Sequence, residues 1–219
     1  MPPITRSALI ALIMLILIPV VTVSQSGSSR PATYITKEEV DIVNKEPGID
    51  RQIRVVDIGS ENFAVGIIHR GRTGAPAAGA GGGAARGAAP ATPAPEPCGE
   101  RAATPPPAGT ANGLYHDQQT EGYYIVSGEG TLVTGGRILN GRRSAPDAPV
   151  TTELNGPSCS GLIVGPDVVT RAVKTGDIII IPAGTPHGWA NIPDHVDYLS
   201  FRPSARVLTA GYVHPSIRK

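Results

Sequence analysis

Short runs of β-branched and aromatic residues, separated by glycine-containing turns, fill the chain from Gly122 onward. They read "GYYIVSGEGTLVTGG", "SGLIVGPDVVTRAVK", "GDIIIIPAGTPHGWANI" and "VDYLSFRP". Runs of this length suit strands better than helices, and no helical repeat lies between them. The pattern predicts an all-β fold in which antiparallel strands form a sandwich or a barrel.

The composition agrees with a turn-rich, helix-poor chain. The 219 residues include 27 glycines and 22 prolines, and aromatic residues make up only 4%. This length allows one ordinary domain with a real core. The formal net charge is +1, which gives no electrostatic footprint for nucleic acid or anionic lipid, so neither is expected as a partner.

A short helix and two strands are predicted ahead of this series. In "TKEEVDIVNKE", Thr36 and Glu39 have capping-box spacing, and the Pro-Gly pair at 47–48 ends the helix. The β-branched runs "RQIRVVDIG" and "FAVGIIHR" follow, and we interpret them as the first two strands.

The segment 71–113 has almost no large apolar side chain to bury. Its Gly, Ala and Pro content is typical of flexible or disordered chain. The part that precedes it is too small for a core of its own. We therefore predict a single domain over residues 30–219, in which 71–113 is a long, flexible, disordered insertion.

The first 26 residues are predicted to be a targeting segment. Arg6 supplies a positive start, and the apolar run Ala8–Val23 is followed by small residues. The run is shorter than the roughly 20 residues of a spanning helix and is interrupted by Pro19, which favours a cleaved signal peptide over an N-terminal anchor. The mature protein is then expected to be periplasmic or secreted, without membrane contact after cleavage.

The chain carries two cysteines, Cys98 and Cys159. An exported compartment would let them form one disulfide. The sequence gives no distance between them, so a bridge and two unpaired cysteines both stay open.

The stretch "GDIIIIPAGTPHGWAN" contains five residues at the spacing of a known motif. They are Gly176, Pro182, Gly184, His187 and Asn191. This spacing resembles the second motif of the cupin superfamily at every defining position. The resemblance implies a strand that ends at a Pro-x-Gly turn, after which the next strand begins with a histidine that points into a barrel.

The first cupin motif has two histidines one residue apart, then a glutamate and, seven residues later, a glycine. Glu121 and Gly128 have this last spacing. Alignment on Glu121 puts His116 at the place of the second histidine and Leu114 at the place of the first. A second register takes His116 as the first histidine and Gln118 as the second. Both registers stay open, and both keep His116.

The resemblance extends over 52–203, apart from the insertion, and implies an antiparallel jelly-roll (cupin) β-barrel with a metal site inside. Imidazole and carboxylate ligands suit divalent Fe, Mn, Ni, Cu or Zn, and two histidines with one carboxylate leave positions free for a substrate. The predicted metal-site residues are His116, Gln118, Glu121 and His187. Gln118 is either a weak ligand or part of the polar lining. A metal-free pocket and a possible homodimer are also compatible with the resemblance.

Strand alternation adds candidate wall residues to this site. Tyr123 and Ile125 share the face of Glu121, and Trp189 shares the face of His187, so they either wall the pocket or pack in the core. Tyr123 could donate a proton or a hydrogen bond to a substrate. The remaining histidines, His69, His195 and His214, are not predicted as ligands.

Two functions follow from the resemblance. The first is a metal-dependent enzyme of the cell envelope, of oxygenase, isomerase or lyase type, that acts on a small organic molecule. The second is a module without turnover that binds a metal or a small ligand, which the missing histidine favours. A structural β-protein that assembles through its sheets would leave the motif residues unexplained. The site, and not the fold, decides between these functions.

Overall fold

A computed structural model describes residues 31–74, 96–204 and 206–217 of the protein. Helix α1 spans Lys37–Asn44, a π-helical turn spans Val150–Asn155, and a 3-10 turn spans Pro215–Ile217. The strands are β1 (Asp50–Asp57), β2 (Asn62–Gly71), β3 (Pro97–Cys98), β4 (Asn112–His116), β5 (Glu121–Thr134), β6 (Arg137–Arg143), β7 (Ser158–Val164), β8 (Val169–Lys174), β9 (Ile178–Ile181), β10 (His187–Asn191) and β11 (His195–Ser204).

Helix α1 begins at the predicted capping box. The Thr36 hydroxyl accepts a hydrogen bond from the Glu39 backbone N–H, and the Glu39 carboxylate accepts one from the Thr36 N–H. The helix buries Val43 against Ile53 of β1 and Ile67 of β2. It therefore covers the outer face of these two strands, and the predicted N-terminal helix is confirmed.

Two antiparallel sheets share the long strand β5. The first sheet has the order β1-β2-β11-β5-β9, and the second has the order β8-β5-β10-β4-β7-β6-β3. Strand β5 passes from one sheet to the other near Gly128, where φ is +73° and an added Cβ would lie 2.0 Å from the His195 carbonyl oxygen. Only glycine fits there. The all-β jelly-roll barrel that the sequence predicts is confirmed.

The barrel interior changes from apolar to polar along β11. Every second residue of this strand is buried, from Val196 to Ser204. Val196 and Tyr198 pack with Tyr123 and Ile125 of β5 in an apolar cluster. The next inward positions of β11 hold polar side chains, namely Ser200, Arg202 and Ser204. One part of the interior is therefore a hydrophobic core, and the other part can carry a site.

The structure corrects the boundaries of the predicted flexible insertion. Residues 75–95 lie outside the described residues, but the C-terminal part of the segment belongs to the barrel. Strand β3 pairs with β6, and Cys98 forms a disulfide with Cys159 of β7, which settles the question of their pairing. Strand β4 already begins at Asn112. Backbone pairing and the disulfide hold this part of the chain, so its lack of apolar side chains was misleading.

The predicted targeting segment, residues 1–26, lies outside the described residues. Within the ranges that the structure covers, none of the helices has the length and hydropathy needed to span a bilayer.

Candidate metal centre

Three of the predicted site residues meet inside the barrel. His116 is the last residue of β4, Glu121 is the first residue of β5, and His187 is the first residue of β10. Each side chain is buried, and one potential ligand atom from each lies within 4.8 Å of the other two. Two histidines and one carboxylate thus form a compact cluster at the ends of three strands.

The Pro-x-Gly turn holds the two halves of the site together. Gly184 has φ of +78°, which favours glycine, and its N–H donates a 2.7 Å hydrogen bond to the His116 carbonyl oxygen. Three residues later His187 pairs with Leu114 of β4 on one side and with Thr134 of β5 on the other. The backbone therefore fixes the position of His187 relative to His116.

The ligand atoms are spaced as neighbouring ligands of one metal ion would be. Glu121 Oε2 lies 3.3 Å from His116 Nε2 and 3.1 Å from His187 Nε2. Two ligands that each lie about 2.1 Å from an ion, at tetrahedral or octahedral angles, are about 3.0 to 3.4 Å apart. The distances from Glu121 to both histidines therefore suit neighbouring ligands of one divalent metal ion.

The hydrogen bonds of His187 point to a cation at its other nitrogen. Its Nδ1 lies 2.9 Å from the Thr185 carbonyl oxygen, which can only accept, so Nδ1 carries the proton. In the neutral ring Nε2 then has a lone pair, and this lone pair faces the carboxylate oxygen of Glu121 at 3.1 Å. Two acceptors at this separation need a proton or a metal ion between them. A hydrogen bond from the ring nitrogen that does not face the metal orients many metal-binding histidines in this way.

Glu121 is held by donors on both of its oxygens. Oε1 accepts from Arg202 Nε at 2.6 Å and from Ser200 Oγ at 3.1 Å, and Oε2 accepts from the Tyr123 hydroxyl at 2.7 Å. We call these four residues the Glu121 network. Because Oε1 is occupied by two fixed donors, Oε2 is the oxygen that faces the histidines.

The Glu121 network fixes the ionisation of its members. Burial alone would raise the pKa of Glu121, but the Arg202 guanidinium holds that pKa well below its usual range. Burial and the negative charge of Glu121 raise the pKa of Tyr123 well above its usual value. The carboxylate is therefore charged and the phenol is neutral, which suits a metal ligand and a hydrogen-bond donor respectively.

Arg202 links the network to the rest of the barrel. Burial would lower the pKa of Arg202, but Asp50 and Glu121 raise it above the ordinary arginine value. Its Nη1 donates to Asp50 Oδ1 at 3.2 Å and to the Leu154 carbonyl oxygen at 3.1 Å. The guanidinium is thus surrounded by fixed acceptors and keeps Glu121 in place.

The structure decides between the two registers of the first motif. Leu114 and His116 lie two residues apart on β4 and therefore share one face, and Leu114 is the neighbour of His187 across the strands. Leu114 stands at the place of the first histidine. Gln118 follows the end of β4 in a bend and is exposed, so it lies outside the cluster. The expectation that Gln118 adds a ligand or lines the pocket is corrected, because the alternation of β4 stops at His116.

The residues predicted to wall the site divide between site and core. The Tyr123 ring packs 6.2 Å from that of His187 and 4.4 Å from that of Tyr198, measured between ring centroids. Ile125 is fully buried in the core, and Trp189 donates to the Tyr198 hydroxyl at 3.4 Å. Tyr123 therefore belongs to the site, while Trp189 and Ile125 support it from the apolar side.

The other histidines bond to residues away from the cluster. His69 Nδ1 pairs with Asp197 at 2.6 Å. His195 contacts Asp194 at 2.7 Å and Ser127 at 3.2 Å, and His214 contacts Ser216 at 2.6 Å.

Sequence reasoning missed Arg202 and Ser200. The signal for them was present in the sequence of β11, "HVDYLSFRPS". Every second residue from Val196 points inward, and after Val196 and Tyr198 the next inward residues are Ser200 and Arg202. Polar residues in the inward phase of a strand indicate a buried network or a site.

No family model matches the sequence, and no curated protein matches it. Solved structures do match. A protein from Bacillus halodurans is 14% identical, with 84% of this chain and 89% of that chain covered and a TM-score of 0.41. An uncharacterized protein with a double-stranded β-helix domain from Klebsiella pneumoniae is 16% identical, with 82% and 94% covered and a TM-score of 0.33. The DMSP lyase DddQ from Ruegeria pomeroyi is 10% identical, with 85% and 81% covered and a TM-score of 0.32.

The two-sheet barrel and the placement of its two motifs define the chain as a protein of the cupin fold. Its His116, Glu121 and His187 form a buried cluster that could hold a metal ion.

Proposed function

We propose that this protein is an exported cupin that binds one divalent transition metal through His116, Glu121 and His187, and that the metal serves catalysis on a small organic molecule. The observation that carries the proposal is the convergence of two imidazole Nε2 atoms on one carboxylate oxygen, at 3.3 Å and 3.1 Å. The matching metals are divalent Fe, Mn, Ni, Cu and Zn. A bound ion would supply Lewis-acid activation of a substrate oxygen.

The chain's own residues define what such a site can do. Arg202 and Ser200 hold Glu121 so that Oε2 alone faces the histidines, and the Tyr123 hydroxyl lies next to the same oxygen. Leu114 places an apolar side chain where a third histidine would otherwise stand. Two histidines and one carboxylate leave several coordination positions open, which is the arrangement of enzymes that bind a substrate directly to the metal.

Elemental analysis of the mature domain, purified without chelator or affinity metal, tests metal binding. We expect close to one metal per chain in the wild type and in His214→Ala, because His214 lies outside the cluster. We expect a large loss of metal in His187→Ala. Equal metal content in both variants, or none in any of the proteins after reconstitution, would refute the proposed site.

A binding function without turnover is the alternative. Only two histidines stand at the site, since Leu114 replaces the third, and fewer imidazole ligands suit a weaker metal site. Oxygen consumption and product formation with a panel of small acids and phenols separate the two functions. Turnover that disappears in His187→Ala supports the enzyme, whereas saturable binding without any product supports the binding module.

Export remains part of the proposal. The disulfide between Cys98 and Cys159 supports it, because disulfides persist in oxidising compartments and are rare in the cytosol. Fractionation of cells that express the full chain, followed by N-terminal sequencing, tests it. A mature protein that begins shortly after residue 26 and leaves the cytosol is expected, and a full-length cytosolic protein would contradict it.

The homodimer also remains a proposal, and strand β9 supports it. This strand pairs with β5 on one side, and its outward Ile178 and Ile180 are 71% and 67% exposed. An apolar edge strand is a template for pairing with a second chain, here with β9 of a second copy. Sedimentation velocity should show a dimer that Ile180→Lys dissociates, and a wild-type monomer at high concentration would contradict this.

A further inference from the structure

A second row of polar side chains lies inside the barrel, next to the Glu121 network. Gln119 faces Ser204 across an isolated bridge, and Ser204 faces Asn62 in the register of β11 and β2. Directly opposite residues of antiparallel strands project from the same face, so these side chains are neighbours. All three residues are buried, with exposures of 1% to 2%. We call them the Gln119 row.

The position of Ser204 shows that this row faces the interior. Ser204 follows Arg202 by two residues and Ser200 by four, and both of those side chains contact Glu121. Alternate residues of a strand share a face, and a step of two residues advances about 7 Å. The Gln119 row therefore lies about one such step beyond Glu121, within reach of a small molecule that also touches the histidine cluster.

The Gln119 row is polar, and four of its side-chain atoms are unpaired. Within the described part of the chain, Gln119 Nε2 and Oε1, Ser204 Oγ and Asn62 Oδ1 have no hydrogen-bond partner. The side chains stand side by side yet do not bond to one another. Buried polar groups are nearly always paired, and a set of unpaired ones in a single row points to an exchangeable partner.

The chemistry of the row selects the kind of partner. It offers the Gln119 amide, the Ser204 hydroxyl and the Asn62 amide oxygen, all uncharged, while the Asn62 amide nitrogen donates to the Leu208 carbonyl oxygen. The nearby Arg202 is already bonded to Glu121, Asp50 and a backbone carbonyl. Arg70 lies on β2 and bonds the Tyr198 hydroxyl. Tyr198 is separated from Ser204 by about 20 Å along β11. A buried carboxylate or phosphate at the row would therefore lack a counter-charge, which is unfavourable, whereas a hydroxyl or an amide would be satisfied.

We propose that the Gln119 row binds the uncharged, hydroxyl- or amide-bearing end of a small ligand whose other end reaches His116 and His187. This inference rests on the proposed function and narrows its substrate class to molecules with one uncharged hydroxyl- or amide-bearing end, whatever the charge of the end at the histidines. Gln119 is the main determinant, because it provides both an unpaired donor and an unpaired acceptor.

Paired probes that differ only in the charge of one end test the inference by calorimetric titration of zinc-loaded protein. The pairs are gluconate with glucarate and succinamate with succinate, which share one carboxylate for the metal and carry either an uncharged group or a second carboxylate at the far end. We expect the member with the uncharged end to bind more tightly, and Gln119→Leu to weaken it at least tenfold. Gln118→Leu, which changes the adjacent and exposed glutamine, should leave affinity unchanged. Ser204→Ala should weaken binding as well, which guards against a folding defect in Gln119→Leu.

Tighter binding of the dicarboxylates, no binding of any probe, or equal affinities in wild type and Gln119→Leu would overturn the inference. Repeating the titrations with His187→Ala separates it from the proposed function. Gluconate or succinamate that still binds weakly in that variant, and still depends on Gln119, would support the row even if no metal were found. A wild type that binds zinc but shows no Gln119-dependent affinity would refute the row alone.

Discussion

Two neighbouring parts of the barrel interior differ in whether their buried polar groups are hydrogen-bonded. In the Glu121 network, both oxygens of Glu121 accept hydrogen bonds from fixed side chains, and Arg202 is bonded on both sides. In the Gln119 row, one step away, four polar atoms have no partner within the described residues. Both regions are almost fully buried.

The difference follows the charge of the groups. An unpaired buried charge is far more unfavourable than an unpaired buried amide or hydroxyl, so the ionised groups must be paired within the fold itself. The pairing also preorganises Glu121, because it holds the Oε2 oxygen towards the two histidines. Neutral groups tolerate temporary loss of a partner and can serve a ligand that comes and goes. We therefore assign a fixed metal ligand to the first region and ligand recognition to the second.

Breaking the ion pairs of Arg202 should have the largest effect. Arg202→Met leaves the buried Glu121 and the part-buried Asp50 without their cation, and we expect the free energy of unfolding to fall by about 3 to 5 kcal/mol. Urea denaturation measures this loss. In the control Arg137→Met, which removes an exposed pair with Glu100, the loss should stay below about 1 kcal/mol. Similar losses in the two variants would contradict the role of the network.

Removing one donor of the network should have an intermediate effect. Tyr123→Phe deletes the hydrogen bond to the charged Glu121, and we expect stability to fall by about 1.5 to 3 kcal/mol. Turnover, once a substrate is known, should fall as well, and unchanged kinetics would exclude a role for this hydroxyl. The neighbouring Tyr124→Phe, on the outer face, should change stability by no more than about 0.5 kcal/mol.

Adding a ligand should sharpen the assignment of the first motif. Leu114→His places an imidazole on the face of His116 and next to His187, so metal affinity should rise about tenfold, or about 1.4 kcal/mol. Competition with a chromogenic chelator measures the dissociation constant. Gln118→His, at the position favoured by the other register, should leave affinity unchanged. The reverse ranking of the two variants would restore that register.

The smallest effect is expected in the Gln119 row. Because the Gln119 amide is unpaired, Gln119→Leu removes no intramolecular hydrogen bond from its side chain, and stability without ligand should change by less than about 1 kcal/mol. The measurement is the urea midpoint in ligand-free buffer. A loss comparable with that of Arg202→Met would show that Gln119 belongs to the structural network and would remove the contrast between the two regions.

The local part of the site could be predicted from the sequence. Glu121 with His116 and the Pro-x-Gly turn before His187 depend on short spacings, and the strand runs indicate the barrel. Arg202 could not be found this way, because it lies 81 residues from Glu121 and reaches it only through the pairing of β11 with β5. Strand register between distant segments is not encoded in any short motif.

The limited information that short motifs carry about strand pairing and strand ends explains two other points that the sequence left open. The bridge between Cys98 and Cys159 spans 61 residues and depends on the pairing of β3 with β6 and of β6 with β7. The choice between Gln118 and Leu114 depended on where β4 ends, and strand ends are the least predictable feature of a sequence. In the first case the missing information was the pairing of the strands, and in the second it was the end of a strand.

The most direct test of the metal site is anomalous X-ray diffraction from crystals of the mature protein saturated with zinc, with data above and below the zinc absorption edge. The account predicts one strong peak within about 2.0 to 2.2 Å of His116 Nε2, His187 Nε2 and Glu121 Oε2, and no peak there in His187→Ala. A wild-type crystal without this peak, or with zinc bound only at surface histidines, would contradict it.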